Sequence, residues 1–265
     1  VDYLGGDDKV LGFRLAVIIF AIISVALFWF TFAKTRERVQ MVRQKSNVKE
    51  EVSVLVKNVS WIALAASGIC VVIGLVARLS STTFFCEYYL GLGDGKYLWW
   101  MDGATLVITV GFIGQLFGAL LTPTLLQFSQ KKTLMIQANL VCAASIVATY
   151  FLQPEDYWLV LAMHTVGIFC FGIIITLLFA MYTDCAEYGE WVSGKNSAGL
   201  TVSASMFSLK TGSAIGTAIP AALLAMYGFV QGAETQSVKA IEGIQVMYNL
   251  LPAVFFIAAG LIMFW

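Results

Sequence analysis

Long apolar stretches alternate with short polar ones along almost the whole chain. A helix needs about 20 mostly apolar residues to cross the hydrocarbon core of a bilayer. Seven stretches meet this length, namely 11–32, 60–90, 99–121, 134–152, 158–181, 200–229 and 241–265. The pattern predicts an all-α integral membrane protein with about seven transmembrane helices, of which the second and sixth are long enough to tilt or bend.

Composition supports lipid as the main solvent of the chain. Of the 265 residues, 59% are hydrophobic and 12% are charged, whereas soluble domains average about 25% charged residues. The formal net charge is zero, so no overall field favours nucleic acid as a partner. The five cysteines show no CxxC spacing and have no histidine near them in sequence. This spacing indicates neither a disulfide framework nor a metal site.

Lys and Arg are unevenly distributed between the connections. The first, third and fifth connections hold seven, two and one of them, against three on the opposite side of the membrane. The positive-inside rule therefore predicts that 34–57, 128–132 and 182–197 are cytoplasmic. The expected location is the plasma membrane, crossed several times, as in the cytoplasmic (inner) membrane of a bacterium.

The first connection is the only long one, and it divides the chain unequally. We predict that residues 1–33 are the last helix of an N-terminal bundle, that 34–58 are a basic cytoplasmic loop, and that 59–265 are a six-helix C-terminal bundle. Residue 1 is Val, and the sequence stops within an apolar run. Both ends look cut, so we expect an internal fragment of a longer protein, truncated in its last helix.

A polar stripe with Lys210 at its centre runs along the sixth predicted helix. On a helix, Ser203 and Ser213 share the face of Lys210, and Met206 lies beside it. An ionisable side chain at the bilayer centre costs at least ~2.5 kcal/mol on insertion scales. We interpret the stripe as the lining of a cavity. The alternative is a lysine whose amine extends to the membrane surface.

The fifth connection carries three acids, Asp184, Glu187 and Glu190, at intervals of three residues. On a helical extension they form one acidic edge just below the membrane, where they invite ion pairs with bases of neighbouring loops. Such pairs can act as a gate that breaks when the protein changes conformation. The alternatives are a solvated loop with a helix cap, and a metal site built from the three acids.

Three further ionisable residues lie within predicted spans. Arg78 and Glu87 are nine residues apart on the second helix, so they point to opposite faces and cannot pair with each other. Each faces either a neighbouring helix or the outer interface. The single histidine, His164, is expected to be a hydrogen-bonded packing residue and not a proton relay.

Some of these residues form motifs of a known family. The run DCAEYGEW at 184–191, then Gly194 and Lys195, and then KTG at 210–212 resembles the glycoside–pentoside–hexuronide family of melibiose-permease-like sugar:cation symporters. Segments 84–88 and 240–252 also match the family. The resemblance covers essentially the whole chain, as helices six to twelve of a twelve-helix protein.

The resemblance implies a major-facilitator fold, in which two six-helix bundles enclose a central sugar cavity. Transport would be sugar symport with Na⁺, H⁺ or Li⁺ by alternating access. The expected partners are a small-molecule sugar, a monovalent cation and the bilayer, with no further cofactor and a monomer at full length. The residues that ligate the cation in this family lie mostly in the first bundle, outside this sequence.

The resemblance also implies roles for individual residues: Lys210 matches the family's cavity lysine, and Asp184, Tyr188 and Glu190 match the loop that closes the inner gate. With the neighbours on its helix face, the expected substrate- or ion-binding set is Lys210, Met206, Ser203 and Ser213. With the rest of the acidic segment, the expected cytoplasmic gate is Asp184, Glu187, Tyr188, Glu190 and Trp191. The sequence departs from the family pattern at Glu187, Asn196 and Ala198, so the ion pairs of the gate are altered.

Two other functions fit parts of the sequence. A membrane-embedded, metal-dependent enzyme would use Asp184, Glu187 and Glu190 as ligands. A seven-helix receptor would explain the helix count. We expect a transporter and not an enzyme, because the resemblance covers both the acidic segment and the helix of Lys210.

Overall fold

The computed structural model describes residues 9–35, 48–92, 96–98, 101–194, 198–233 and 235–264. Seven helices within this part are long and apolar enough to cross a membrane, as predicted. The helices are α1 (Lys9–Lys34), α2 (Val48–Lys57), α3 (Val59–Phe84), α4 (Gly103–Leu125), α5 (Lys131–Tyr150), α6 (Tyr157–Ser193), α7 (Ala198–Met226), α8 (Val238–Gln245) and α9 (Leu251–Ile262).

Two π-helical turns interrupt this pattern. The first, Phe85–Tyr89, continues α3, and the second, Val246–Leu250, joins α8 to α9. Two short antiparallel strands, β1 (Lys96–Leu98) and β2 (Met101–Asp102), precede α4. The last transmembrane span is therefore made of α8, the second π-helical turn and α9.

Contacts divide the chain into two units, residues 1–45 and residues 46–265. The described part of the first unit is α1, which has 26 residues and Lys34 in its last turn. At about 1.5 Å per residue this helix is long enough to cross a bilayer. The predicted boundaries at 33 and 58 remain predictions.

The second unit is a ring of five helices with α4 beside it. Around the ring, α6 packs against α5, α5 against α9, α9 against α3, α3 against α7, and α7 against α6. Helix α4 packs on the outer side of α6. The interior contains fully buried apolar side chains from four of these helices, including Val71, Met135, Ile174, Leu177 and Phe256. A second apolar cluster, which includes Phe85, Val107 and Tyr248, packs α4 and the two π-helical turns together.

Glycines set the distance between two pairs of these helices. Gly118 on α4 faces the backbone of α6 at Phe169, and Gly172 on α6 faces the backbone of α4 at Gln115. Gly212 on α7 lies similarly against the carbonyl of Ile69 on α3. The helices pack closely at these positions because glycine has no side chain, and a side chain there would overlap a backbone atom.

The linker contains a helix that the sequence analysis missed. Residues 34–58 are predicted as a loop, but α2 occupies Val48–Lys57 and buries Leu55. Asn58 then caps α3 by accepting a hydrogen bond from the Trp61 amide, and its side-chain amide donates to the carbonyl of Cys185 on α6 at 3.0 Å. The end of the linker is thus attached to the bundle.

Two span boundaries also differ from the predicted ones. The third span begins at Gly103 and not at residue 99, because the strands of the hairpin occupy part of the segment before it and Asp102 has an extended backbone at the helix start. The fifth span continues to Ser193 and not to residue 181. Hydrophobicity alone misplaced the end of the fifth span, because a helix can extend beyond the lipid when its backbone hydrogen bonds continue.

Candidate functional site

Helix α7 has two faces of different character. Its buried face packs against α3 and consists of small residues: Thr201, Ser205, Ser208, Gly212, Gly216 and Pro220. Lys210, Met206 and Ser203 lie on the exposed face, and Ser213 is partly buried at its edge. The structure therefore brings the four predicted binding residues to one side of the helix, although their binding role remains a prediction.

The position of Lys210 along α7 bears on its role. Twelve residues separate it from the first residue of the helix, which corresponds to about 18 Å. This is less than the thickness of the hydrocarbon core, about 30 Å, so Lys210 lies well inside the length of α7 that can cross a membrane. Exposing an ammonium to lipid at the bilayer centre costs at least ~2.5 kcal/mol, which favours a face that borders water or protein.

The acidic segment is helical. Residues 182–193 form the helical extension of α6 on which the three acids were expected, and the alternative of a solvated loop is wrong for these residues; the extension ends where Gly194 takes a left-handed conformation with φ of 63°. Glycine adopts this conformation without the penalty of a β-carbon, so it terminates the helix. Lys195 and Asn196 lie outside the described residues.

One of the expected ion pairs is present. The Lys131 ammonium at the start of α5 donates to both carboxylate oxygens of Asp184, at 2.7 and 2.9 Å. Glu187 and Glu190 are exposed and form no ion pair with any residue that the structure describes. The ion pair joins α5 and α6 of the same bundle. The carboxylates of Glu187 and Glu190 are free to bind a partner outside the described residues.

Aromatic side chains accompany the acids on this extension. Trp191 is 80% exposed and Tyr188 is 49% exposed, with their ring centroids 6.0 Å apart. Large apolar rings with such exposure are typical of a surface that contacts lipid headgroups or another part of the protein. The gate residues thus share one accessible surface, and their gating role remains a prediction.

Arg78 is buried within the helix bundle. Its side chain is 2% exposed, so of the two alternatives for Arg78 the neighbouring helix is correct and the outer interface is excluded. The guanidinium lies 4.2 Å from the ring centroid of Tyr248, and its Nη1 donates to the Tyr248 carbonyl at 3.1 Å. Glu87 is exposed on the first π-helical turn, in agreement with the prediction that the two charges do not pair.

Arg78 donates a hydrogen bond to a backbone carbonyl that lacks its α-helical donor. In an α-helix the Tyr248 carbonyl would accept a hydrogen bond from the amide of residue 252, but that residue is Pro252, which has no N–H. Arg78 supplies a hydrogen bond to that carbonyl. The sequence analysis did not identify Tyr248. The available signals were Pro252 within the last span and Arg78 within a neighbouring span, which together indicate a carbonyl that needs a side-chain donor.

His164 is part of the same buried cluster. Its Nδ1 lies 3.0 Å from the Tyr248 hydroxyl, and the side chain is 1% exposed. The hydrogen bond confirms the prediction of a packing residue. The Tyr248 ring also stacks on Phe85 at a centroid distance of 4.0 Å, so the two π-helical turns meet at this cluster.

The metal-enzyme alternative has no support from the geometry. Within the described residues, no group of three or more His, Cys, Asp and Glu side chains is arranged to hold a metal ion. Asp184, one of the three supposed ligands, is instead bound to an ammonium. The acids are therefore better described as charges on a helix surface.

Known proteins resemble this chain over nearly its whole length. The inner membrane symporter YicJ of Escherichia coli is 24% identical over 99% of the chain and 55% of its own length. The isoprimeverose transporter of Lactiplantibacillus pentosus is 26% identical over 97% of the chain and 52% of its own. The glucuronide carrier protein homolog of Escherichia coli is 25% identical over 98% of the chain and 55% of its own length. The chain spans about half the length of these relatives.

A family profile covers the same region. The family described as MFS/sugar transport protein matches residues 3–265. The seven spans and the relative named as an inner membrane symporter indicate a multi-pass protein of the plasma membrane. Because the match extends over all the helices described above, the chain belongs to the MFS/sugar transport protein family.

Proposed function

We propose that this chain forms the C-terminal half of a sugar:cation symporter that works by alternating access. Three relatives are named as a symporter, an isoprimeverose transporter and a glucuronide carrier homolog, and the chain aligns with about half of each. The observation that carries the proposal is the exposed stripe on α7 that includes Lys210, within a helix long enough to cross the membrane. Binding sites of secondary transporters lie near the bilayer midplane, between two bundles, and we place this stripe there.

Lys210 acts on the sugar more directly than on the coupling cation. An ammonium has three donors and no acceptor, so it cannot ligate Na⁺. It can donate hydrogen bonds to sugar hydroxyls or pair with a carboxylate of a hexuronide. Ser203 donates its hydroxyl proton to the Gly199 carbonyl at 2.8 Å, which leaves its oxygen as an acceptor for a sugar hydroxyl.

The test of this proposal is transport by the full-length protein that carries this chain. Reconstituted in vesicles, it should take up a glycoside, pentoside or hexuronide faster when a Na⁺ or H⁺ gradient is imposed. Lys210→Ala should reduce uptake at least about tenfold, since the loss of a charged hydrogen bond corresponds to about 1.5–3 kcal/mol. Lys239→Ala is the matched control, because Lys239 is an exposed lysine on the predicted opposite side of the membrane.

Two results would contradict the proposal in different ways. Equal uptake by Lys210→Ala and Lys239→Ala would remove Lys210 from the mechanism. Uptake that does not respond to any cation gradient would exclude symport, while a facilitated transporter would still be possible.

We further propose that the extension of α6 is part of the cytoplasmic gate. The Asp184–Lys131 pair holds the extension against α5, and the exposed carboxylates of Glu187 and Glu190 meet bases of the other bundle when the gate closes. The pair is about half exposed, with 41% and 51% of the two side chains accessible. Exposed pairs contribute only about 0.2–1 kcal/mol to stability.

Asp184→Asn is therefore expected to change the transport rate by up to about fivefold and to leave the melting temperature nearly unchanged. The exchange Asp184→Lys with Lys131→Asp should restore the rate, because it rebuilds the pair with opposite polarity. The measurement is initial uptake in vesicles alongside a thermal melt of each variant. Failure of the exchanged pair to recover any activity would show that the position of each charge matters, and not the pair.

A further inference from the structure

A cavity of about 390 Å³ lies at the predicted cytoplasmic end of the bundle. It is bordered by the start of α3, the start of α5, the extension of α6 and the end of α9. Its polar border includes Ser60, Gln130, Lys131, Lys132 and Asp184, and its inner wall is apolar, with Leu64, Met181 and Met263. A cavity with a polar border and an apolar inner wall suits a ligand that is polar at one end and apolar at the other.

An apolar groove adjoins this cavity on the surface of α3 and α9. The groove has a volume of about 450 Å³ and is lined by Val59, Ile62, Ala63, Ala66, Leu261 and Ile262, all on α3 and α9. Val59, Ala63 and Ile262 line the cavity as well, so the two spaces share a wall. From Val59 to Ala66 the helix rises about 10 Å, which is most of the depth of one leaflet of about 15 Å.

The charges at the mouth favour an anion. Lys131 and Asp184 neutralise each other across their ion pair. Lys132 forms no ion pair with any residue that the structure describes, and its ammonium donates one hydrogen bond to the Phe264 carbonyl at 3.3 Å. An ammonium has three donors, so two are left for a ligand. The cavity therefore presents one net positive charge.

We propose that this cavity and groove bind one anionic phospholipid of the cytoplasmic leaflet. The phosphodiester of the headgroup accepts hydrogen bonds from Lys132, and one acyl chain follows the groove between α3 and α9. A monoanionic headgroup such as phosphatidylglycerol matches the single net charge, whereas a choline headgroup would bring a second cation next to Lys132. Basic pockets between transmembrane helices bind lipid headgroups in this way.

Lipid retention by the full-length protein tests the proposal. The detergent-purified protein is incubated with palmitoyl-oleoyl phosphatidylglycerol or with the phosphatidylcholine of the same acyl chains, and bound lipid is counted by native mass spectrometry. We expect about fivefold more retention of phosphatidylglycerol, because one basic residue near the surface attracts an anionic lipid by about 1 kcal/mol. Neither sugar nor coupling cation is present, so the result does not depend on the proposed transport function.

Two variants test the contributions of the headgroup and of the acyl chain to lipid binding separately. Lys132→Gln removes the cation and should lower phosphatidylglycerol retention to the level of phosphatidylcholine. Ala66→Phe fills the groove and should lower the retention of both lipids. Lys239→Gln, an exposed lysine on the predicted opposite side, should change neither, and equal melting temperatures without lipid establish that the variants fold.

Several outcomes would overturn the proposal. Retention of the two lipids could be equal, or Lys132→Gln could retain phosphatidylglycerol as well as the unmodified protein does. Glycerol 3-phosphate, which has no acyl chain, could displace the lipid at the same concentration. That last result would identify a soluble phosphate compound as the ligand.

Discussion

Gly118→Ala and Gly172→Ala are each expected to lower the apparent melting temperature of the protein by about 10 °C. A β-carbon at Gly118 would overlap the Phe169 carbonyl oxygen, and one at Gly172 would overlap the Gln115 carbonyl oxygen. Both obstacles are backbone atoms of a packed helix, so α4 and α6 must move apart. Overpacking costs about 1–3 kcal/mol and occasionally more, and in a chain of this size each kcal/mol corresponds to about 2–4 °C.

The control for this prediction is Gly199→Ala on α7. Gly199 is exposed, and a β-carbon there would meet no atom within 4 Å. Alanine favours a helix over glycine by about 1 kcal/mol, so this variant should be as stable as the unmodified protein or slightly more so. Thermal melts in detergent would compare the three variants. If all three melt at the same temperature, the close approach of α4 and α6 is not what stabilises the bundle.

Arg78→Met is expected to destabilise the protein by about 2 kcal/mol, although two effects oppose each other. The Nε and Nη2 atoms of Arg78 have no acceptor among the described atoms, and replacing a buried charge by an apolar side chain is often neutral or stabilising. Against this, methionine removes the hydrogen bond to the Tyr248 carbonyl and the contact with the Tyr248 ring. These two interactions contribute about 1.5–3 and about 2 kcal/mol.

Pro252 decides which effect is larger. With proline at this position, the backbone cannot offer the Tyr248 carbonyl its α-helical donor after Arg78 is removed. Pro252→Ala restores an N–H there, so the double variant should recover at least half of the stability that Arg78→Met loses. The two single variants and the double variant form a cycle that isolates this coupling.

Ser80→Met serves as the control for the introduced side chain, since Ser80 is exposed on the same helix. It should leave the melting temperature unchanged. Stability of Arg78→Met equal to that of the unmodified protein, or the absence of any recovery in the double variant, would mean that the arginine does not support the backbone of the last span.

Many features of the fold were accessible from the sequence because the bilayer imposes a length and a composition on each span. Backbone groups in lipid must be satisfied within the segment, so a run of about 20 apolar residues predicts a helix. The seven spans follow from this constraint. The helix period also placed Lys210, Ser203 and Met206 on one face, because residues at these spacings project in the same direction.

The sequence could not assign the role of Arg78. Hydropathy gives the depth of a residue in the membrane but not the neighbour that it faces. Whether an arginine near a helix end reaches water or lies among other helices depends on the arrangement of α3 against α9 and the second π-helical turn. The same limit applies to the helix in the linker, which is too short and too polar to be recognised by apolar length.

The sequence by itself determined the number of spans, the polar face of α7 and the membership of a sugar transport family. Each of these depends on local composition, on helix period or on matching residues. Only the tertiary structure decided that Asp184 pairs with Lys131, that Arg78 supports the Tyr248 carbonyl, and that a cavity with one unpaired ammonium among the described residues adjoins an apolar groove. These features depend on distances between residues far apart in the chain, which are set by the packing of helices and by the glycines that let them approach.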